Sequence, residues 1–221
     1  MKISIHSLLC ILSLGLVGCS PNFNVKDDIN NTIPISLKYG KKTIIDISYN
    51  KKFKGAIRSS YIISKRANEA NPINDRPSFY SEKSIPKEYR SQNSDYINSG
   101  FERGHLAPHA SFDYSAKMLD LTYSFANIVP QYPNVNKKTW IKAEKFERAM
   151  IKFGDVKVNN YVIYNKKPKT IGKNKIAIPK AFIKEIIIDD VPLCFYFLNE
   201  KNPDTSLGLF SYKIDCKRVI K

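Results

Sequence analysis

From Thr43 onward the apolar residues run mostly with the two-residue period of strands, while Lys138 to Phe153 has the period of a helix. That contrast limits the architecture more than any other feature of the chain. Within the helical stretch, Ala143, Phe146, Ala149, Met150 and Phe153 recur at three- and four-residue spacing, and Gly154 ends the pattern. Thr43 to Tyr49 alternates apolar and polar side chains, and Ala56 to Ser64 reads as a second strand. Further strands are expected at Leu121–Val129, Val156–Tyr164, Lys175–Ile178, Ile183–Ile188 and Leu193–Leu198. The sequence shows no repeat and no second domain. The expected class is α+β, a sheet with few helices.

Two polar regions interrupt this pattern. Ser20 to about Tyr39 is Asn-rich and carries Pro21 and Pro34, which reads as a tether. Asn68 to Gly100, punctuated by Pro72, Pro77 and Pro86, is too long for a simple connection and is expected to line a site.

The N-terminus reads as a targeting segment. Lys2 precedes an apolar run, Leu8 to Val17, that is too short to span a bilayer as a helix. Leu16-Val17-Gly18-Cys19 then looks like a bacterial lipoprotein signal, cut before Cys19, which takes the lipid; an ordinary secretory signal is the alternative. The expected divisions are residues 1–18 as signal peptide, 19–40 as lipidated N-terminus and tether, and 41–221 as the folded domain. The protein would be exported and lipid-anchored in the cell envelope, at the outer membrane or facing the periplasm. Processing removes Cys10, and lipid occupies Cys19. Of four cysteines, Cys194 and Cys216 remain. Two leftover thiols outside the cytoplasm commonly pair; two buried apolar thiols are the alternative.

The formal net charge is +16, from 36 Lys and Arg against 20 Asp and Glu. That excess suits a polyanionic partner, either nucleic acid or an anionic membrane surface. Biased codon usage would also give a chain rich in Lys, Asn and Ile, so charge alone does not choose.

Chemistry concentrates in Phe101-Glu102-Arg103-Gly104-His105-Leu106-Ala107-Pro108. Gly104 and Pro108 argue against a regular helix, so His105 and His109, four apart, do not read as a helical metal pair. In an extended segment Arg103 shares a face with His105. A guanidinium there keeps the imidazole neutral, as a general base requires, and can grip a phosphate through two hydrogen bonds. Downstream stand Asn127-Ile128-Val129-Pro130-Gln131, then Asn134, Asn136, Trp140 and Glu144. Their amide and carboxylate oxygens are hard ligands suited to Mg²⁺. On a regular helix Asn136 and Glu144 would lie about 12 Å apart along the axis. Either the chain bends before the helix or Glu144 acts through water. Taken singly, each of these residues also fits a cap or an ordinary surface position.

Taken together the residues resemble the DNA/RNA non-specific endonucleases of the ββα-metal (His-Me finger) type. The family pattern is Asp-Arg-Gly-His followed by a proline, then Asn-x-x-Pro-Gln, then Asn and Glu eight apart bracketing a Trp. Here it stands as Glu102-Arg103-Gly104-His105 with Pro108, Asn127-Ile128-Val129-Pro130-Gln131, and Asn136, Trp140, Glu144. The resemblance implies a mainly antiparallel central sheet and hydrolysis of DNA and RNA to 5′-phosphate products. It implies His105 as general base, Asn136 as the direct ligand of Mg²⁺ (Mn²⁺ as substitute) and Glu144 holding the ion through water. Arg103 would bind phosphate, Arg76 in Asp75-Arg76-Pro77 would be a second arginine, and Asn127 and Gln131 would shape the site. The family includes dimers, so a homodimer is among the expected assemblies. The chain departs from the pattern at Glu102, at His109, and at Asn165-Lys166-Lys167-Pro168, where Thr-Gly is usual. Two other functions compete: a lipid-anchored protein that binds nucleic acid without cutting it, and a metal-free ribonuclease using His105 and His109 as an acid–base pair.

Overall fold

A computed structural model describes residues 23–24, 29–64 and 71–220. The signal peptide and the lipidated Cys19 expected above lie outside the described residues. The strands are β1 (Phe23–Asn24), β2 (Thr32–Tyr39), β3 (Lys42–Asn50), β4 (Gly55–Ile63), β5 (Glu102–His105), β6 (Ile128–Gln131) and β7 (Val156–Ile163). They continue as β8 (Thr170–Ile171), β9 (Ile176–Ala177), β10 (Ala181–Ile188), β11 (Val191–Leu198), β12 (Lys213–Ile214) and β13 (Val219–Ile220). The helices are α1 (Asn93–Tyr96), α2 (Ala116–Thr122) and α3 (Ile141–Met150). Seven strands form the central sheet in the order β12-β11-β10-β7-β4-β3-β2, with every neighbouring pair antiparallel. The α+β class with a mainly antiparallel sheet is the observed one.

Alternation along β10 shows how the two faces divide. Phe182, Lys184 and Ile186 point into the main core with Tyr61, Trp140, Phe195 and Phe197. Ile183 points the other way, into a smaller cluster with Tyr161, Cys194 and Val219. That second face is covered by the C-terminal segment, where β13 pairs in parallel with β1. A Cys194–Cys216 disulfide ties β11 to this cover. The same sulfurs lie beside Glu185, but joined to each other they offer no thiolate to a metal.

Three expectations need correction. The tether does not extend to Tyr39: Thr32–Tyr39 is an edge strand, hydrogen-bonded to β3. Ile35 and Leu37 are buried while Ser36 and Lys38 face out, an alternation hidden among polar neighbours. Pro34, which suggested a loop, is tolerated because an edge strand needs fewer N–H donors. Secondly, Leu121–Val129 is not one strand. It holds the end of α2, a 3₁₀ turn at Phe125–Asn127, and only then β6. The Ser124 side chain accepts from the Ala126 N–H and caps the turn, so local polar bonding overrides the apolar run. Thirdly, the helical stretch starts as a π-helical segment, Val135–Trp140, and α3 ends at Met150, leaving Phe153 exposed.

The face α3 turns to the sheet is not wholly apolar. Glu147 is fully buried and pairs with the equally buried Lys184 of β10 at 2.7 Å. Tyr61 Oη donates to Glu147 at 3.0 Å, and Ser111 Oγ does so at 3.2 Å. A buried pair held this way is costly to halve. Lys184→Met is expected to lower unfolding free energy by about 3–5 kcal/mol, because the Glu147 charge loses its partner. Lys184→Met with Glu147→Leu should recover most of that loss; urea denaturation measures both, and additive losses would contradict the pairing.

Candidate functional site

β5 and β6 form a two-stranded hairpin-like ribbon on the core side of the sheet, with Glu102 opposite Gln131 and His105 opposite Ile128. Its register leaves Gly104 under the Gln131 side chain. A Cβ at Gly104 would sit 2.2 Å from Gln131 Oε1, so only glycine fits this crossing. Asn127 fixes the chain just past His105. Its side-chain oxygen accepts from Ala107 N–H at 2.9 Å, and its Nδ2 donates to the Ala107 and Thr122 carbonyls at 2.9 and 3.0 Å. Leu106 N–H donates to the Asn127 carbonyl at 3.0 Å. Asn127 and Gln131 therefore shape the ribbon, as expected from the motif.

His105 closes β5. Trp140 Nε1 donates to the His105 carbonyl at 3.3 Å, linking the ribbon to the helical stretch. Its ring stands among Phe79, Tyr123 and His109, with centroids 5.6, 5.1 and 5.4 Å away. Nε2 is buried and has no hydrogen-bond partner among the described residues. Burial above all, then His109 and Arg76, lowers the His105 pKa to about 3. His109 is lowered to about 4 by burial, Arg76 and Arg148. Both rings are neutral at neutral pH.

Arg76 pairs with Asp113 at 3.8 Å, on the His109 side of the ribbon. Arg103 lies on the other flank. Its Nε donates to Asn93 Oδ1 at 2.7 Å, and its guanidinium lies 5.6 Å from both the Phe79 and Tyr96 rings. Arg103 and His105 thus share Phe79 as a neighbour, consistent with their place on one strand face. The guanidinium is nonetheless engaged by α1 rather than presented as a free fork.

On the third side stands the helical stretch. Asn136 lies in its π-helical part, and its Nδ2 donates to Glu102 Oε2 at 2.8 Å. Glu102 Oε1 meets Lys137. With Nδ2 engaged, the Asn136 side-chain oxygen is the atom left to accept or ligate. Glu144 is on the first turn of α3. Burial raises its carboxyl to about 7, Lys184 opposing and Glu147 adding to the shift. An amide oxygen and a carboxylate that gains from a neighbouring cation suit a hard divalent ion. Asn136 thus sits on a π-helical turn and Glu144 on the α-helical turn that follows it, and π-helical turns recur at working sites.

Arg148 was not anticipated from the sequence. It falls four residues after Glu144, on the same helix face, and lies close enough to His109 and Glu144 to shift both. One of its terminal nitrogens is buried without a partner. The Glu144/Arg148 spacing was the available signal, obscured because Arg148 also reads as a C-terminal helix cation.

The described geometry can be set beside known proteins. The family model for DNA/RNA non-specific endonuclease matches residues 28–215. The chain is 33% identical over 126 residues to mitochondrial endonuclease G of Bos taurus, covering 50% of this chain and 41% of that protein. It is 28% identical over 162 residues to nuclease C1 of Cunninghamella echinulata var. echinulata, covering 66% of this chain and 64% of that protein. It thus spans between 41% and 64% of the length of these two relatives. A crystal structure of an EndoG/EndoGI complex contains a chain of like fold, with a TM-score of 0.71 at 21% identity and 80% coverage of each chain. With the family match running from residue 28 to residue 215, across the sheet, the ribbon and the helical stretch, the chain belongs to the DNA/RNA non-specific endonuclease family.

Proposed function

We propose that the chain is an endonuclease that hydrolyses phosphodiester bonds of DNA and RNA to 5′-phosphate products, with Mg²⁺ as cofactor and Mn²⁺ as substitute. The observation that carries this reading is the unpartnered, buried His105 Nε2, held neutral beside oxygen donors and arginines. Family membership and the +16 charge support it.

His105 Nε2 takes the proton from a water that attacks phosphorus in line. In the free site the imidazole is a weak base, since burial and neighbouring cations favour its neutral form. An arriving phosphate brings negative charge against the ring and raises its basicity when it is needed. Asn136 would hold the cation through its side-chain oxygen, while Glu102 anchors the amide nitrogen. Glu144 would act on that ion through water. When bound, Mg²⁺ offsets the charge growing on the leaving 3′ oxygen. Arg76 and Arg148, on the His109 side, face the non-bridging oxygens of the phosphate. Arg103 adds positive charge on the opposite flank. No step uses a 2′-hydroxyl, so both sugars are accepted, and phosphate contacts carry no base identity.

The metal-free ribonuclease is disfavoured because His105 and His109 are both held neutral, and neither supplies a protonated acid at neutral pH. Export, a lipid on Cys19, an envelope location at the outer membrane or facing the periplasm, and a homodimer belong to the same proposal. Among the described residues no helix is long and apolar enough to cross a membrane.

Plasmid DNA and RNA should both be cleaved with Mg²⁺ and spared with EDTA. His105→Ala should lower kcat by about 10²–10⁴-fold while binding persists. Cleavage of RNA alone in the presence of EDTA would overturn the reading, as would binding without cleavage by the wild-type protein. Arg148→Ala should lower kcat by roughly 10²-fold with a smaller effect on KM; a change confined to KM would make Arg148 a ground-state contact only.

A further inference from the structure

Beyond the site, one segment beside the sheet concentrates lysines without any acid among them. Residues 165–180 contain Lys166, Lys167, Lys169, Lys173, Lys175 and Lys180 and no Asp or Glu, and all six lysines are exposed. The β3–β4 turn adds Lys51, Lys52 and Lys54. The two segments are fastened together. Phe53 stacks on Tyr164 at 4.3 Å, and Ala177 N–H donates to the Phe53 carbonyl at 3.0 Å. The opposite end of the same strands mixes exposed Asp155, Asp189 and Asp190 with exposed Lys41, Lys42, Lys152 and Lys157. Eight residues of β7 separate the two ends by roughly 26 Å.

This lysine platform is joined rigidly to the site's Arg103 flank. The hairpin of β8 and β9 rests on α1: Asn174 donates to Asp95 through its N–H and its Nδ2 at 2.9–3.1 Å. Gly172 packs so closely on Asp95 that a Cβ would fall 2.4 Å from Oδ1. Ile171 and Ile176 pack with Tyr96, Phe125 and Phe79. One residue of α1, Asn93, holds Arg103. Asp95, which the hairpin contacts, is buried and hydrogen-bonded to Asn174, so it forms no ion pair with the exposed lysines; exposed Glu200 follows Asn199, which binds the Lys180 carbonyl, at the far end of the segment from Lys166 and Lys167.

We propose that this platform is a second nucleic-acid contact, gripping the phosphates of a strand that extends past the Arg103 flank of the site. The proposal rests on the nuclease reading for the identity of its ligand. A fixed, acid-free row of lysines neutralises successive phosphates and releases counterions whatever the sequence. An anionic lipid surface fits less well. Interfacial membrane binders carry large apolar anchors beside their cations, whereas the exposed large apolar residues here lie outside 165–180, at Tyr39, Ile62, Ile97, Phe153, Leu198, Leu207 and Phe210.

The test uses the full chain in EDTA, so that binding is read without cleavage. Fluorescent single strands of five and thirty nucleotides are titrated across salt concentrations. The protein is wild type or carries Lys166→Gln, Lys167→Gln, Lys169→Gln and Lys173→Gln together. The variant should bind the long strand at least tenfold more weakly, with a log–log salt slope shallower by about 2, and bind the short strand as wild type does. Arginine at the same four positions should keep the wild-type slope, which separates lost charge from lost folding; Lys167→Glu alone should weaken the long strand in the same direction. An unchanged slope, equal losses on both lengths, or a loss confined to binding of phosphatidylserine vesicles would overturn the proposal. If wild type binds by length but never cuts with Mg²⁺, the platform stands and the hydrolase reading falls.

Discussion

The interaction on which the rest of the site depends is the buried Lys184–Glu147 pair. It joins the middle of the sheet to α3 at a point where neither partner reaches water. Tyr61 adds β4, beyond β7 in the sheet, and Ser111 adds the 3₁₀ turn that begins at His109. Three pieces of chain distant in sequence are thus referred to one carboxylate. Tyr61 Oη also lies 3.4 Å from the Leu106 carbonyl, and Asn160 Nδ2 donates to that carbonyl at 3.1 Å. The residue after the histidine is therefore held by the same layer that holds the helix. A hydrophobic substitute for the pair would pack, but it would not specify the relative position of helix, strand and turn in the same way.

That fixed frame explains how a polar ring can remain unsatisfied. An orphaned imidazole nitrogen costs free energy, and that cost persists where the surroundings keep the ring from turning to a partner. Asn127 clamps the chain beyond His105, Gln131 covers Gly104 before it, and Trp140 holds its carbonyl from the side. The aromatic neighbours Phe79 and Tyr123 complete the wall. Nε2 has no partner among the described residues, so it is available to an incoming ligand. Such pre-set geometry is the condition for a positioned base.

Much of this was legible in the sequence where one residue type has few physical uses. Gly104 next to His105, the Asn127–Gln131 run, and Asn136 with Glu144 were readable as a group. β7, β9, β10 and β11 were readable from their apolar runs, whereas the two-residue strands β8, β12 and β13 were not. What escaped detection depended on partners far along the chain. Glu147 looks like a solvent-facing residue until Lys184 arrives from β10. Thr32–Tyr39 looks like tether until β3 pairs with it and hides Ile35 and Leu37. The π-helical turn at Val135–Trp140 has no local signature, because it shifts hydrogen-bond spacing without changing composition. Arg103 satisfied its sequence rule by sharing a face with His105, yet Asn93, ten residues earlier, decided where its guanidinium points.

Glu102 shows how a departure from a motif can be absorbed. The aspartate of the family pattern would end one methylene earlier. The longer side chain here spends one oxygen on the Asn136 amide nitrogen and the other on Lys137. The first contact orients the amide, since a carboxylate accepts only from the NH₂ end and so turns the carbonyl end away from itself. The second contact holds the carboxylate to the same π-helical turn that carries Asn136. Orientation of a ligand by a hydrogen-bonded neighbour is how outer groups tune a metal site. The extra methylene therefore lengthens the arm between ribbon and helix while keeping the Asn136 amide nitrogen anchored and its oxygen turned away from Glu102.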